Sequence, residues 1–168
     1  MSKINKRLLV EFGKSIPDAT SGHYIRELDI LLTGHIDGSV IKWNLSTNSK
    51  EILIRIPGHR ISSISLSPAR EILVGSATGA TAIISFDDSS KIEYVTQPTY
   101  MTTDRVWRVA WASDHVFYMG MNYGNLRKVS KSNNHWSIKS ISGHSNAIFG
   151  LDSTNELYIA SEFQSSSL

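Results

Sequence analysis

The sequence predicts an all-β protein built from repeated four-stranded antiparallel units. Short runs of four to seven residues rich in Ile, Val, Leu and aromatic side chains recur along the chain, and Gly, Asn, Asp, Ser or Pro separates them. No segment keeps an apolar stripe at helical spacing over 11 residues, which disfavours helices of ordinary length. A glycine-bounded turn also returns at a nearly constant interval, and such internal repetition is typical of stacked sheet architectures.

Each apolar run predicts one strand, which ends where a turn-forming residue interrupts the run. The run Ser39–Leu45 illustrates the pattern, since Val40 alternates with Ile41 and Trp43 across its two faces. In chain order the predicted strands are Leu8–Phe12, Leu28–Thr33, Ser39–Leu45, Glu51–Ile56, Ile61–Leu66, Glu71–Ser76, Ala80–Phe86, Ile92–Thr96, Val106–Trp111, Val116–Gly120, Asn125–Ser130, Trp136–Ile141, Ala147–Leu151 and Leu157–Ser161.

The repeated turn defines the period. Three copies of the turn end at Gly38, Gly79 and Gly124, and a degenerate fourth copy ends at Ser165. Positions 38, 79, 124 and 165 lie 41, 45 and 41 residues apart. In the first copy Asp37-Gly38 predicts a two-residue hairpin turn, because both residue types tolerate positive φ. A Gly-His pair follows the first and third turns, at Gly58-His59 and Gly143-His144.

A unit of about 40–45 residues with four short strands, a Gly-His pair and a Trp-Asp dipeptide is the signature of the WD40 β-propeller family. The sequence resembles that family from about Leu28 to Ser165, most strongly over Leu31–Asn44, where Trp43-Asn44 stands in place of Trp-Asp. The resemblance implies four-stranded blades stacked radially, so that neighbours cover both faces of each sheet.

The resemblance also implies a hydrogen-bonded set within a blade, formed by the Gly-His histidine, a second-strand Ser or Thr, the turn aspartate and the tryptophan. Only the first blade keeps the turn aspartate. Two interpretations of His23 remain open: it is the histidine of this set, in a blade shortened at its start, or it does not belong to the set. Ile84 and Val129 replace the tryptophan later, so those blades depend more on packing. The structural repeat residues implied are Thr33, Asp37, Gly38, Trp43, Asn44, His59, Gly79, Gly124 and His144.

The predicted organisation is an N-terminal segment, 1–23, with one strand, followed by a partial WD40-like propeller, 24–168. Blades are expected near 24–59, 60–103, 104–144 and 145–168, the last one truncated. Known propellers contain at least four blades. About three and a half repeats therefore predict an incomplete ring, and we expect a fragment or truncated product of a larger propeller protein. Further blades or self-association would cover the open faces.

Composition excludes several classes of function. The 168 residues carry 17 Lys and Arg against 15 Asp and Glu, and a net charge of +2 gives no global reason to expect nucleic acid or an anionic membrane. Cysteine is absent, which excludes disulfides, thiolate metal sites and cysteine nucleophiles. The aliphatic run Leu8–Val10 is too short for a signal-peptide core, and no run approaches the ~20 apolar residues of a membrane span. We expect a cytoplasmic or nuclear location and no membrane partner.

Catalytic motifs are also absent from the sequence. There is no Ser-His-Asp order, no Gly-x-Ser-x-Gly elbow and no phosphate-binding glycine loop with a lysine. His59 and His144 stand at repeat positions without a carboxylate or histidine cluster, so we interpret them as structural donors. Asp87-Asp88 precedes Ser89-Ser90 and predicts a solvated outer turn. We expect no enzymatic activity, no cofactor and no metal.

One candidate partner site is a basic stretch. No Asp or Glu occurs from His115 to Leu151, and this stretch contains Trp136 and four cations, namely Arg127, Lys128, Lys131 and Lys139. Such a stretch suits an acidic peptide, a phosphopeptide or RNA. The alternative is an exposed outer hairpin of the third blade whose lysines stay solvated and protect an edge.

The second candidate is implied by the resemblance, since loops before inner strands and between second and third strands form a frequent partner surface in the family. By position it contains Arg60, Asp104, Arg105 and Ser145, beside His35, Ile36, Ala77, Asn122 and Tyr123. Trp107 is either a partner anchor or a packing residue, and alternation with Val109 and Trp111 favours packing. Our candidate partner-binding residues are Arg60, Arg105, Trp107, Tyr123, Arg127, Lys128 and Lys131.

Fold alone does not settle function. The function expected is a non-catalytic protein-interaction scaffold that binds a protein or peptide. The alternative is an RNA-associated propeller subunit of an RNA-processing or ribosome-assembly complex, using the basic stretch of the third blade.

Overall fold

A computed structural model describes residues 17–56, 59–97, 105–141, 146–152 and 158–161. Within these ranges nearly all regular structure is β-strand, with single 3-10 turns at Arg26–Leu28 and Asn122–Gly124. The strands are β1 Ala19–Ile25, β2 Ile30–His35, β3 Ser39–Asn44, β4 Ser49–Arg55, β5 Ile61–Leu66, β6 Glu71–Ser76, β7 Thr81–Ser85, β8 Ile92–Thr96, β9 Val106–Ser113, β10 Val116–Met121, β11 Leu126–Ser132, β12 His135–Ile141, β13 Ile148–Asp152 and β14 Tyr158–Ser161.

The strands form antiparallel sheets in simple chain order. Blade one contains β1 to β4, blade two β5 to β8 and blade three β9 to β12, while β13 and β14 form the described part of blade four. The predicted all-β class and its four-stranded antiparallel blades are therefore confirmed. The described residues do not close into a ring.

Local sequence predicted most strands well. The bounds of β5, β6 and β8 match the predictions, and other predicted strands within the described residues end within two positions of the observed ones. The predicted strand Leu8–Phe12 lies outside the described residues. The strand β1 was not predicted, because its sequence, ATSGHYI, is short of aliphatic residues. The predicted boundary between residues 23 and 24 falls inside β1, so blade one begins no later than Ala19.

The turn between β2 and β3 differs in detail from the predicted hairpin. The Gly38 amide donates to the His35 carbonyl at 3.2 Å, so the turn spans four residues. Gly38 has a φ of 82°, whereas Asp37 is not among the residues with positive φ. The two-residue Asp-Gly turn is therefore wrong. Glycine is nevertheless required, since a Cβ atom at Gly38 would lie 2.7 Å from the His59 carbonyl oxygen.

Two hydrophobic clusters occupy the interfaces between blades. Leu32 and Val40 of blade one pack with Ile72 and Ile84 of blade two. The second cluster joins blades two and three and includes Leu73, Ile83, Val109, Trp111, Phe117 and Val129. Blade two is thus apolar on both faces, which is the arrangement expected when sheets stack radially.

Small residues allow adjacent blades to approach closely. The second strand of each blade carries a glycine against the inner strand of the next blade. A Cβ atom added to any of these glycines would lie within 2.9 Å of a neighbouring side chain: Ile61 for Gly34, Val109 for Gly75 and Ile148 for Gly120. The spacing of these glycines follows the sequence repeat, so the same close approach of a glycine to a side chain of the next inner strand recurs at three junctions.

A β-bulge also recurs near the start of every inner strand. The register shifts between Ala19 and Ser21, between Ile61 and Ser63, between Val106 and Arg108 and between Ile148 and Gly150. The extra residue of a bulge disrupts side-chain alternation. In the first two blades it carries a hydroxyl that donates to the next inner strand, from Thr20 to the Ile61 carbonyl and from Ser62 to the Val106 carbonyl.

Candidate functional site

One end of the blades forms a continuous loop face. In each four-stranded blade, an amide in the turn between the second and third strands donates to the carbonyl of a residue just before the inner strand. These bonds join Ile36 to Asp18, Ala77 to Arg60 and Asn122 to Arg105, at 3.0, 2.9 and 3.0 Å. The loop face is defined here by these six residues and Tyr123. Its backbone is therefore fixed independently in each blade.

Two cations and two large apolar side chains project from this loop face. Arg60 and Arg105 are exposed. Ile36 is 54% exposed and Tyr123 is 58% exposed. Tyr123 also has a φ of 59°, a left-handed conformation that is costly for a residue other than glycine, Asn or Asp. An exposed aromatic side chain held in this way is typical of a binding position. The other two predicted loop residues, Asp104 and Ser145, lie outside the described residues.

Trp107 does not lie on the sheet face of Val109 and Trp111, where strict alternation along the strand predicted it. The bulge at this residue puts Val106, rather than Trp107, in the cluster with Val109 and Trp111. Predicted packing of Trp107 beside Trp111 is therefore wrong. Trp107 is half-buried, and its indole Nε1 donates to Asn122 Oδ1 at 3.2 Å. This bond places it next to the loop face.

The first blade contains a buried hydrogen-bonded chain that uses a different histidine from the one predicted. Trp43 Nε1 donates to Thr33 Oγ1 at 2.6 Å, and Thr33 Oγ1 lies 2.8 Å from His35 Nε2. His35 Nδ1 lies 2.7 Å from the Pro17 carbonyl, which can only accept, so Nδ1 carries the hydrogen. Thr33 Oγ1 therefore bridges the Trp43 indole and the His35 ring. His23 instead lies on β1 opposite Leu32, and burial lowers its pKa.

The turn aspartate belongs to a separate group. Asp37 Oδ1 accepts from the Ser39 amide at 3.0 Å and from the Ser39 hydroxyl at 2.6 Å, and Arg55 lies 3.2 Å from Oδ2. The Ser39 hydroxyl holds the pKa of Asp37 below its usual value. The predicted set of four is thus divided between the Thr33 chain and the Asp37 turn.

The remaining repeat residues have structural surroundings. Asn44 Oδ1 accepts from the Thr47 amide at 2.9 Å and caps the turn after β3. His59 is buried. Gly79 and Gly124 have φ values of 86° and 74°, which suit glycine at turns. His144 lies outside the described residues.

The basic stretch is divided between the two faces of blade three. Alternate residues of β11, namely Arg127, Val129 and Lys131, lie on the face towards blade two. Lys128 lies on the opposite face. Alternation along a strand therefore separates charges that are consecutive in sequence. The stretch does not form one basic surface.

Lys131 is neutralised by a residue that sequence analysis did not single out. Its Nζ lies 2.9 Å from Glu93 Oε2 and 4.9 Å from the centre of the Trp136 ring. Trp136 Nε1 donates to Glu93 Oε1 at 2.8 Å, and its ring packs against Trp111 and Phe117. Glu93 belongs to blade two. The stretch contains no acidic residue, yet an acidic residue from another blade compensates one of its lysines. Local sequence therefore did not predict the net charge of this surface.

The inner strands border a cleft of about 590 Å³ that includes Ser63, Ser65 and Arg108. Arg108 Nη1 donates to the Ser62 and Trp107 carbonyls at 3.2 and 2.9 Å. Among the described residues, no three His, Asp or Glu side chains are grouped so that they could hold a metal ion. Nor does any helix in the described ranges have the length and apolar character needed to cross a membrane.

Solved structures with the same blade arrangement identify the fold. The β-propeller domain of Myceliophteria thermophila Cps50 (Swd1) has a TM-score of 0.62 and 18% identity, over 76% of this chain and 40% of that chain. U3-55K has a TM-score of 0.62 and 17% identity, over 81% and 42%. A chain of the Mitotic Checkpoint Complex has a TM-score of 0.63 and 20% identity, over 81% and 41%.

The chain has the WD40 β-propeller fold. No protein-family model and no curated relative matches it. The chain spans about two fifths of the length of the WD40 structures compared above. The WD40 likeness agrees with three four-stranded blades and with the tight turns that recur between second and third strands.

Proposed function

We propose that this protein is a non-catalytic interaction scaffold whose loop face binds a protein or peptide partner. The observation that carries the proposal is the exposed group formed by Arg60, Arg105 and Tyr123 on turns that backbone hydrogen bonds hold in place. Preformed loops lose little conformational entropy when a partner binds. Aromatic and arginine side chains are the residues most enriched at energetic centres of interfaces.

The structural neighbours add support of a general kind. One of them is a chain of the Mitotic Checkpoint Complex, so a WD40 propeller of similar blade geometry takes part in a multi-protein complex. We propose a comparable role here, in the cytoplasm or nucleus. We also propose that the protein works as part of a larger propeller assembly, because the described blades leave the ring open.

Site-specific crosslinking tests the loop face directly. A photoreactive phenylalanine analogue is placed at Tyr123 and, as a control, at Tyr94, which is 41% exposed on the outer strand of blade two. In cells, position 123 should give a discrete crosslinked protein that position 94 does not give. Arg105→Ala should then weaken binding of that purified protein at least tenfold without changing the circular dichroism spectrum. Equal crosslinking at both positions would contradict the proposal.

The RNA alternative receives less support from the geometry. Lys131 already pairs with Glu93, and Lys128 lies on the other face of the sheet. RNA binding through this stretch requires an affinity that falls steeply with salt. It also requires that Lys128→Glu reduce that affinity, which a filter-binding titration at two salt concentrations measures.

A further inference from the structure

The cleft between the inner strands holds a single cation among its described lining residues. The cleft has a volume of about 590 Å³, which is typical of a small-molecule site. Neither Asp nor Glu occurs among the described residues that line it, so Arg108 has no counter-charge there. His23 also lines the cleft, but burial lowers its pKa and keeps it neutral at pH 7. The charge of the cleft therefore favours an anion.

Hydrogen bonds fix the guanidinium of Arg108 and leave one of its edges unused. Nη1 donates to the Ser62 and Trp107 carbonyls at 3.2 and 2.9 Å, which accounts for both of its hydrogens. Nε and Nη2 carry the other three hydrogens, and these have neither an acceptor nor an ion pair among the described residues. Arg108 is half-buried, and a cation in such surroundings is normally paired. The edge formed by Nε and Nη2 has the shape that binds two oxygens of one anion.

Arg108 departs from the repeat at its position. Strand register pairs the residue after each inner-strand bulge with the glycine of the second strand, in the pairs Ser21–Gly34, Ser63–Gly75 and Arg108–Gly120. At the middle position, Ser63 Oγ accepts the Val109 amide of the next inner strand at 3.2 Å. Arginine has no acceptor atom, so Arg108 cannot make the corresponding contact. Packing between blades therefore does not account for the charge at this position.

Two serine hydroxyls add donors to the same cleft. Ser63 Oγ and Ser65 Oγ accept the amides of Val109 and Trp111 at 3.2 and 3.3 Å. Each hydroxyl keeps its own hydrogen, for which no acceptor occurs among the described residues. With the three hydrogens of Arg108, five donors then border the cleft. A phosphate monoester offers three peripheral oxygens, whereas a carboxylate offers two, so the number of donors favours phosphate.

The cleft becomes apolar away from Arg108. The strands β5 and β9 run in the same direction, because the two serines contact amides in the same order along both strands. Ala112 lies four residues after Arg108, which is about 13 Å along an extended strand. Leu66 and Pro68 line the cleft at the same end as Ala112. A phosphate group at Arg108 therefore leaves room for an organic group beside these apolar residues.

We propose that the cleft between the inner strands binds a small phosphate monoester. Its phosphate group lies on the Nε and Nη2 edge of Arg108 and accepts a further hydrogen bond from the Ser65 hydroxyl. Its organic part lies along the cleft towards Leu66 and Ala112. This site is separate from the loop face, and binding here does not depend on a protein partner.

Phenyl phosphate is the probe, and calorimetric titration of the full chain at constant ionic strength measures its Kd. Benzoate carries the same ring on a carboxylate and should bind at least tenfold more weakly. Inorganic phosphate lacks the organic part and should also bind more weakly than phenyl phosphate. Arg108→Gln removes the charge and should raise the Kd for phenyl phosphate at least tenfold.

A matched control has the same change in net charge. Arg26→Gln alters an exposed arginine that does not line the cleft, and it should leave the Kd for phenyl phosphate unchanged. Near-UV circular dichroism shows whether each variant is folded.

Nuclear magnetic resonance of the unaltered chain locates the ligand without any variant. Phenyl phosphate should shift the Nε–H signal of Arg108 and the amide signals of Val109 and Trp111, whose acceptors are the two cleft serines. Signals of Arg60 and Arg105 on the loop face should not move. This measurement decides the location even if Arg108→Gln fails to fold.

Four results would overturn the inference. The first is the absence of saturable binding of phenyl phosphate up to about 10 mM. The second is equal or tighter binding of benzoate or of inorganic phosphate. The third is an unchanged Kd in folded Arg108→Gln, or signal shifts centred on Arg60 and Arg105. The fourth is tighter binding of a blocked phosphoserine heptapeptide than of phenyl phosphate, which would identify a phosphorylated protein as the ligand.

Discussion

The close approach of Gly34 to blade two makes a sharp prediction about stability. A Cβ atom at this position would lie 2.6 Å from Ser21 Oγ and 2.7 Å from Ile61 Cβ. Carbon contacts are most favourable near 3.5–4.0 Å, so the added methyl group overlaps neighbours by about 1 Å. Ile61 is fully buried in the hydrophobic cluster between blades one and two, so it cannot turn towards solvent to relieve the overlap. Overpacking of this kind typically costs 1–3 kcal/mol. Gly34→Ala should therefore lower the free energy of unfolding by about 2 kcal/mol.

Gly22 provides the control within the same sheet. A Cβ atom there would meet the Leu32 carbonyl oxygen at 3.6 Å, which is an ordinary contact. Gly22→Ala should be neutral, or stabilising by up to about 1 kcal/mol through the entropy of the unfolded chain. With a urea m-value of about 2 kcal/mol/M, Gly34→Ala should lower the denaturation midpoint by about 1 M. Equal midpoints for the two variants would refute the blade contact.

Three further predictions concern single side chains. Thr33→Val should lower the free energy of unfolding by about 2 kcal/mol, because it removes the shared partner of Trp43 and His35. Thr33→Ser keeps the hydroxyl and should retain most of this stability, and the same urea titration measures both variants. The pKa of Asp37 is lowered in the folded chain, so ionised Asp37 stabilises the fold fully above its unfolded pKa of 3.8, and this stabilisation is lost as pH falls through the folded pKa. The difference in free energy of unfolding between the native chain and Asp37→Asn should therefore shrink from pH 5 to pH 2.5. Tyr123→Gly should raise the free energy of unfolding by about 1 kcal/mol, since glycine adopts φ 59° without strain, and it should abolish partner binding; a thermal melt and a binding titration check the two effects.

Strands and turns could be predicted because their signals are local. The β-branched runs of β5 and β6 and the glycine at position 79 each determine structure through neighbours in sequence. The strand β1 could not be predicted in the same way. Its sequence has no aliphatic run, and its bond to blade two through Thr20 reaches Ile61, which is 41 residues away.

The candidate surfaces were harder to predict, because they depend on how blades meet. A bulge reversed the expected facing of Trp107, and no local signal marks a bulge that stacking repeats at each inner strand. Similarly, the charge of Lys131 is compensated by Glu93 from another sheet. The arginines of the loop face were found by position, since the residue before each inner strand has a constant place in the repeat.

The bulge hydroxyls give the array a graded cooperativity. Thr20 couples blade one to blade two, and Ser62 couples blade two to blade three, whereas Trp107 has no hydroxyl with which to continue the series. In a repeat array, stability is a sum of unit terms and nearest-neighbour couplings. Sub-global opening should therefore start beyond blade three and travel towards blade one, so that amide exchange becomes slower from β13 through β9 to β5.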